Sequence, residues 1–320
     1  MRQDGRVSTD RVFGQMPDGR EVRLLTIGAD PGPVVEVLTL GATVHRLLVD
    51  GRTVVLGLAD VAERLAGPDY VGATIGRYAN RIAGGRFPLA GTTVQLGAND
   101  RGNNLHGGPE GFDVRVWDVV SHSADAVELS LVSPDGDQGF PGTVTARVRY
   151  AVLGDVVTVE MSATTDATTV VAMTNHAYFN LDSDGTIDDH ELVVDADAYT
   201  PVDDTAIPLG EHAAVAGTPY DLRSPAPLRG SIDHNYVVRG TGLRRHASLS
   251  TSRTTLEVWS DQPGLQVYTG DGFDGTVHGP RAGVALEPQV FPDSPNHPEW
   301  PSPVLEPGET YRSAIEWRFG

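Results

Sequence analysis

The sequence predicts an all-β chain, a large antiparallel β-sandwich with few short helices, and three observations predict it. First, 37 Gly and 22 Pro are scattered over the 320 residues. Such punctuation without long helical periodicity marks many strands joined by turns. Second, Asp-Gly, a strong hairpin-turn dipeptide, begins at Asp4, Asp18, Asp50, Asp135, Asp184, Asp271 and Asp274. Third, apolar and polar residues alternate as strands with one wet face require. Val144, Ala146, Val148 and Tyr150 share one face, and Thr145, Arg147 and Arg149 share the other. After a Gly154-Asp155 turn, Val157, Val159, Met161 and Ala163 alternate with Thr158, Glu160 and Ser162, which completes an antiparallel hairpin.

In chain order, β-rich runs are expected at 21–27, 34–40, 43–49, 127–132, 170–174, 254–260 and 311–319. The best helix candidate is short. Asp60-Val-Ala-Glu63 has the form of a capping box, and Gly67-Pro68 ends the helix it opens within two turns. The absence of longer amphipathic periodicity argues against βαβ units and a parallel sheet. No repeat of 20–50 residues supports a propeller or solenoid. The Pro-rich stretch 291–307 reads as an ordered loop before a last strand. With no linker or charge block, residues 1–320 are expected to form a single domain.

Composition excludes several functions. Zero Cys removes disulfides, thiolate nucleophiles and Cys-ligated metals together. The 24 Lys+Arg against 43 Asp+Glu give a net charge of −19, which argues against nucleic acid and anionic membranes as partners. No stretch approaches the roughly 18 apolar residues of a membrane helix. The opening residues contain no apolar core of a secretory signal, so a cytoplasmic protein is expected. A small-molecule ligand, and a monomer or homodimer, complete this expectation.

Five segments are dense in polar and small residues: Gly76-Arg-Tyr-Ala-Asn-Arg-Ile82, Asn103-Asn-Leu-His-Gly-Gly108, Thr174-Asn-His-Ala-Tyr-Phe-Asn180, Ile232-Asp-His-Asn-Tyr236, and Leu286-Glu-Pro-Gln289 running into Pro292-Asp293. Each has a plain structural reading. Arg77 and Arg81 read as surface arginines paired to acids, His106 as a hydrogen-bonded structural residue, and Asp233-His-Asn235 as an Asx-type turn. Glu287 follows the apolar run Val284-Ala-Leu286, and a buried carboxylate is costly unless it is partnered or shifts its pKa.

Among chemical readings, a metal site from His106, His176, His190 and His234 lacks any H-x-H, H-x-x-x-H or H-E-x-x-H spacing, and none is expected. Neither G-x-S-x-G nor a phosphate-binding glycine loop occurs. Proton transfer by His and Glu remains, with Arg, Asn, Asp and Gln to hold a hydroxyl-rich ligand.

Taken together and in order, these motifs resemble the aldose 1-epimerases, or galactose mutarotases. To those quoted are added Gly111-Phe-Asp113, Pro263-Gly-Leu-Gln-Val-Tyr-Thr-Gly270, the opening Phe13-Gly with Pro17-Asp-Gly19, and the closing Pro307-Gly-Glu-Thr-Tyr311. The resemblance spans nearly the whole chain. It implies a sandwich of the galactose mutarotase type, no cofactor, and interconversion of the α and β anomers of a free aldohexose such as glucose or galactose. By motif, it implies Glu287 as general base and His176 as general acid, with His106 assisting near the ring oxygen. Asn80, Arg81, Asp233 and Gln266 would bind the sugar, and Tyr178 would line the pocket.

The chain departs from the family pattern at Pro288, where Thr is common, at Ala177, where Ser is frequent, and at Asp271, where Asn is frequent. Pro288 removes a backbone donor, so strand pairing is expected to weaken there. Rival readings are a sugar-phosphate 1-epimerase, which needs a basic phosphate clamp, and a non-catalytic sugar-binding sandwich. A glycosidase using Glu287 and Asp233 would leave His176 without a task.

Overall fold

The computed structural model of the protein describes residues 7–29, 31–67 and 70–320; the Asp4-Gly5 turn and Pro68 lie outside them. Alternation decides the central hairpin. Strands Val144–Leu153 and Val156–Thr165 pair in unbroken register from Val144 opposite Thr165 to Leu153 opposite Val156. Val144, Ala146, Val148 and Tyr150 are fully buried, as are Val157 and Val159, while Arg147 and Arg149 are exposed. This hairpin lies in a nine-stranded sheet, whose order runs from Asp118–His122 through the hairpin, Tyr311–Phe319 and Thr255–Ser260 to Ala226–Pro227.

Two further sheets pack on it. One has five strands, beginning Thr9–Gln15 and Glu21–Gly28. The other has six, with Val284–Gln289, Gly264–Tyr268 and Asp233–Val238 as neighbours at its centre. Leu25 and Val37 from the first, Val148 and Trp317 from the nine-stranded sheet, and Val267 and Leu286 from the second share one core. Sheets with inward-facing apolar residues interdigitating in this way form a β-sandwich.

The expected helix is Val61–Ala66. Asp60 Oδ1 accepts from the Glu63 N–H at 3.0 Å, and Glu63 Oε2 reaches back to the Ala59 N–H at 2.5 Å, one residue beyond the usual capping-box partner. Two expectations need correction. Residues 170–174 form no continuous strand: Thr169–Val170 pairs with Val304–Leu305, and Thr174–Asn175 pairs with Thr74–Ile75. The segment is buried throughout because it crosses between partners, so its apolar run carries no pairing information. Asp-Gly also overstates hairpins. Asp18 and Asp50 turn tight hairpins, and Asp135 lies in the longer loop between Ala126–Ser133 and Val144–Leu153. Asp271 and Asp274 instead serve side-chain contacts in loops, an ion pair with Arg281 and an Asx-type bond to Thr276.

Candidate active site

The six-stranded sheet supplies one wall. Val284 and Leu286 enter the core, so their alternates Ala285 and Glu287 face the other way. Directly across the ladder, Gln266 stands opposite Glu287, and Tyr268 stands opposite both Ala285 and Asp233. Pro288 does not end the strand; it stays in register with Leu265. The Thr174 hydroxyl donates to the Pro288 carbonyl at 2.8 Å, tying the strand of Glu287 to the segment of His176.

The opposite wall comes from turns. The His176 N–H donates to the Ala73 carbonyl at 2.8 Å, and its own carbonyl accepts from Gly72 at 2.9 Å. Asn80 and His106 both adopt left-handed backbone, at φ +65° and +53°. His106 N–H donates to the Asn80 carbonyl at 3.1 Å, and the Asn80 N–H returns a bond to His106 Nδ1 at 3.1 Å. Gly107 follows at φ +85°, where a Cβ would sit 2.1 Å from the Gly76 carbonyl oxygen, so only glycine fits.

All eight residues singled out from the sequence reach one cavity of about 320 Å³. Glu287 Oε1 lies 3.5 Å from His176 Nε2, and the His106 and His176 rings are 5.3 Å apart. Arg81 Nε donates to Asp100 Oδ2 at 2.8 Å, and Gln266 Nε2 donates to Asp233 Oδ1 at 2.6 Å. Asn80 Oδ1 accepts from the Arg81 N–H at 2.8 Å. The Tyr178 ring packs 4.9 Å from His176 and 4.8 Å from Phe273. Glu287 Oε2 and Gln266 Oε1 are buried with no hydrogen-bond partner among the described residues. They are acceptors available to ligand hydroxyls.

The plain surface reading fails for both arginines. Arg81 is buried beside its acid. Arg77 is a structural clamp, donating to Ser133 Oγ and to the carbonyls of Ser133, Pro134 and Pro141.

Burial sets the electrostatics. It pushes the Glu287 carboxyl well above its usual range, reinforced by Asp233 and opposed by Arg81. It lowers His176 to about 3, with the Arg64 guanidinium adding to the effect. His106 falls well below its usual value through burial, then through His176 and Arg81. Each group thus favours its neutral form, so burial by itself does not set the charged pair that a general base Glu287 and a general acid His176 require. Neutral His176 with protonated Glu287 nonetheless holds the same single proton as the charged pair.

Distance in sequence did not prevent a potential ligand cluster: His106, His176 and Glu287 each offer an atom within 4.8 Å of the others. The tautomer of His106 opposes metal binding. Because Nδ1 accepts the Asn80 N–H, the neutral ring carries its proton on Nε2, the nitrogen a metal would need. His190 lies elsewhere, with Nε2 accepting from Leu181 at 2.9 Å. His234 packs on Tyr220 at 4.2 Å.

A family model of aldose 1-epimerases matches residues 23–318. The chain belongs to the aldose 1-epimerase family. The aldose 1-epimerase of Escherichia coli is 39% identical over 95% of this chain and 96% of its own. The galactose mutarotase of Bos taurus is 39% identical over 97% and 98%. A solved galactose 1-epimerase from Lactobacillus acidophilus superimposes with a TM-score of 0.89 at 28% identity, over 98% of this chain and 99% of that one. An aldose epimerase homologue from C. elegans gives 0.88 at 29%, over 93% and 98%. The protein is therefore an isomerase with the mutarotase sandwich.

In this epimerase the sequence reading missed part of the pocket lining. Asp100 and Arg101 stand at the Arg81 side, while Tyr268 and Phe273 add apolar surface beside Tyr178. Tyr70 lies against both imidazoles. Asp100 carried no signal, because it lies 19 residues from Arg81 in sequence and meets it only in the fold. Tyr70 carried none, because nothing in its neighbourhood is dense in polar residues. Asp271, the departure from the family pattern, takes an ion pair with Arg281 at 3.1 Å.

Proposed function

We propose that the cavity converts the anomers of a free aldohexose such as glucose or galactose by acid/base ring opening. Glu287 takes the C1 hydroxyl proton while His176 gives one to the ring oxygen. The bond between C1 and that oxygen breaks, the open aldehyde turns about C1–C2, and closure on its other face returns both protons. His106, donating through Nε2–H, assists at the ring oxygen. Arg81, Asn80, Asp233 and Gln266 hold the hydroxyls, and Tyr178 supplies an apolar wall.

The observation that carries this reading is the 3.5 Å approach of His176 Nε2 to Glu287 Oε1 in a cavity also lined by Asn80, Arg81, Asp233 and Gln266. Sugar hydroxyls donating to the unpartnered Glu287 oxygen, with Arg81 nearby, favour the carboxylate and so shift the shared proton to His176. The cavity volume lies at the small end of ligand pockets, roughly 300–1,000 Å³, as a single sugar ring requires. No cofactor or metal enters the scheme.

Polarimetry of freshly dissolved α-D-glucose and α-D-galactose tests it: the protein should speed relaxation to the anomeric equilibrium without changing sugar identity, and chelator should leave the rate unchanged. Unaccelerated relaxation of both sugars would reject the substrate assignment. A cytoplasmic, single-domain enzyme, monomeric or homodimeric, belongs to the same reading, to be checked by fractionation, calorimetry and light scattering.

A further inference from the structure

Tyr70 has no part in the ring-opening scheme, yet it touches both imidazoles. Its ring centroid lies 4.5 Å from that of His106, edge-on at 63°, and 5.8 Å from that of His176, near-parallel at 27°. Its backbone begins the shelf on which His176 rests. The Ala73 N–H donates to the Tyr70 carbonyl at 3.0 Å; Gly72 and Ala73 then bond the His176 carbonyl and N–H. The Arg64 guanidinium donates to the intervening Val71 carbonyl, and Asn175 Nδ2 donates to the Gly72 carbonyl at 3.0 Å. Tyr70 itself is left-handed, at φ +54°. A bulky residue adopts that conformation only where surrounding contacts enforce it. One short segment therefore holds His176 through its main chain and both imidazoles through a ring.

We propose that Tyr70 is a positioning residue for the acid/base pair: its ring fixes the orientations of His106 and His176 and keeps water from their shared side. The proposal rests on the roles of these histidines in ring opening. Aromatic pairs at such separations have preferred geometries, and near-attack alignment depends on them. The charged and titratable groups facing His176 are Glu287 at 3.5 Å, the His106 ring, the Tyr178 ring and Arg64. His106 also faces Arg81. Against this background, removing the ring admits water beside His176. Its imidazole, held at about 3 by burial, then moves back towards its usual value.

The test compares wild type, Tyr70→Phe, Tyr70→Leu and Tyr70→Ala by polarimetry across pH and by NMR titration of the histidine ring signals. Tyr70→Phe keeps the ring and should keep kcat within about threefold. Tyr70→Leu and Tyr70→Ala should lower kcat about 10- to 100-fold with KM changed less than about threefold. In both, the acid limb of the profile and the His176 signal should shift to higher pH. The Leu variant retains bulk and guards against a simple folding defect, which circular dichroism monitors. A rise in KM alone would make Tyr70 only a sugar wall, and equal losses in Phe and Ala would assign the effect to the hydroxyl. Unshifted histidine titrations would leave only structural damage. Any of these three overturns the proposal. The NMR readout is independent of catalysis, so it separates failure here from failure of the assigned histidine roles.

Discussion

Glu287 and His176 are 1% and 4% exposed, and that burial makes their proton count the controlling quantity. Between about pH 3, where His176 charges, and the raised value of Glu287, the pair keeps one proton. Below this window both groups are protonated and no base remains; above it neither is, and no acid remains. The rate should accordingly be flat within that window and fall on both sides of it, as polarimetry across pH will report. Glu287→Gln preserves shape and removes the base, so kcat should drop about 10²–10⁴-fold. Full activity in this variant would refute the role of Glu287. For His176→Asn, kcat should fall far more than binding weakens, whereas a loss confined to KM would mark His176 as a binding residue.

At the scale of elements, the site depends on where turns stop and strands begin. The Asn80 and His106 pair of left-handed residues hold each other by reciprocal bonds, and Gly107 lets the chain pass beneath the Gly76 carbonyl. Gly107→Ala places a methyl in that contact in a backbone region L-residues avoid. It should destabilise the fold by about 1–3 kcal/mol in urea unfolding and reduce activity by displacing His106. Pro288 makes the opposite point: a residue expected to weaken strand pairing sits within the central ladder without interrupting its register.

Over the whole molecule, buried histidines dominate the response to acid. Burial lowers His45 to about 4, His176 and His246 to about 3, and His106 well below its usual value. In the unfolded chain each titrates near its ordinary 6.5, so the unfolded state binds more protons as pH falls below that value. Stability they contribute above pH 6.5 is lost progressively down to about pH 3. Asp113, raised to about 6, works the other way, as do Glu287 and Asp293. The histidines outnumber them, so Tm should fall between pH 6.5 and 5. High salt, which screens the self-repulsion of a chain with net charge −19, is the condition for that measurement. A constant or rising Tm would contradict the burial assigned to these rings.

What the sequence determined by itself is whatever repeats over short distances or is written in an ordered set of motifs. Alternation placed the Val144–Leu153 and Val156–Thr165 hairpin, the capping box placed the Val61–Ala66 helix, and the motif order named the eight residues that meet in one cavity. The partners of the 170–174 segment, the burial of Arg77 and the lining by Tyr70 were decided only by the tertiary structure. The protonation preferences of His176 and Glu287 were decided there too. The reason is that local patterns fix which way a side chain points along its own strand, while desolvation and ring contacts depend on what another part of the chain brings opposite it.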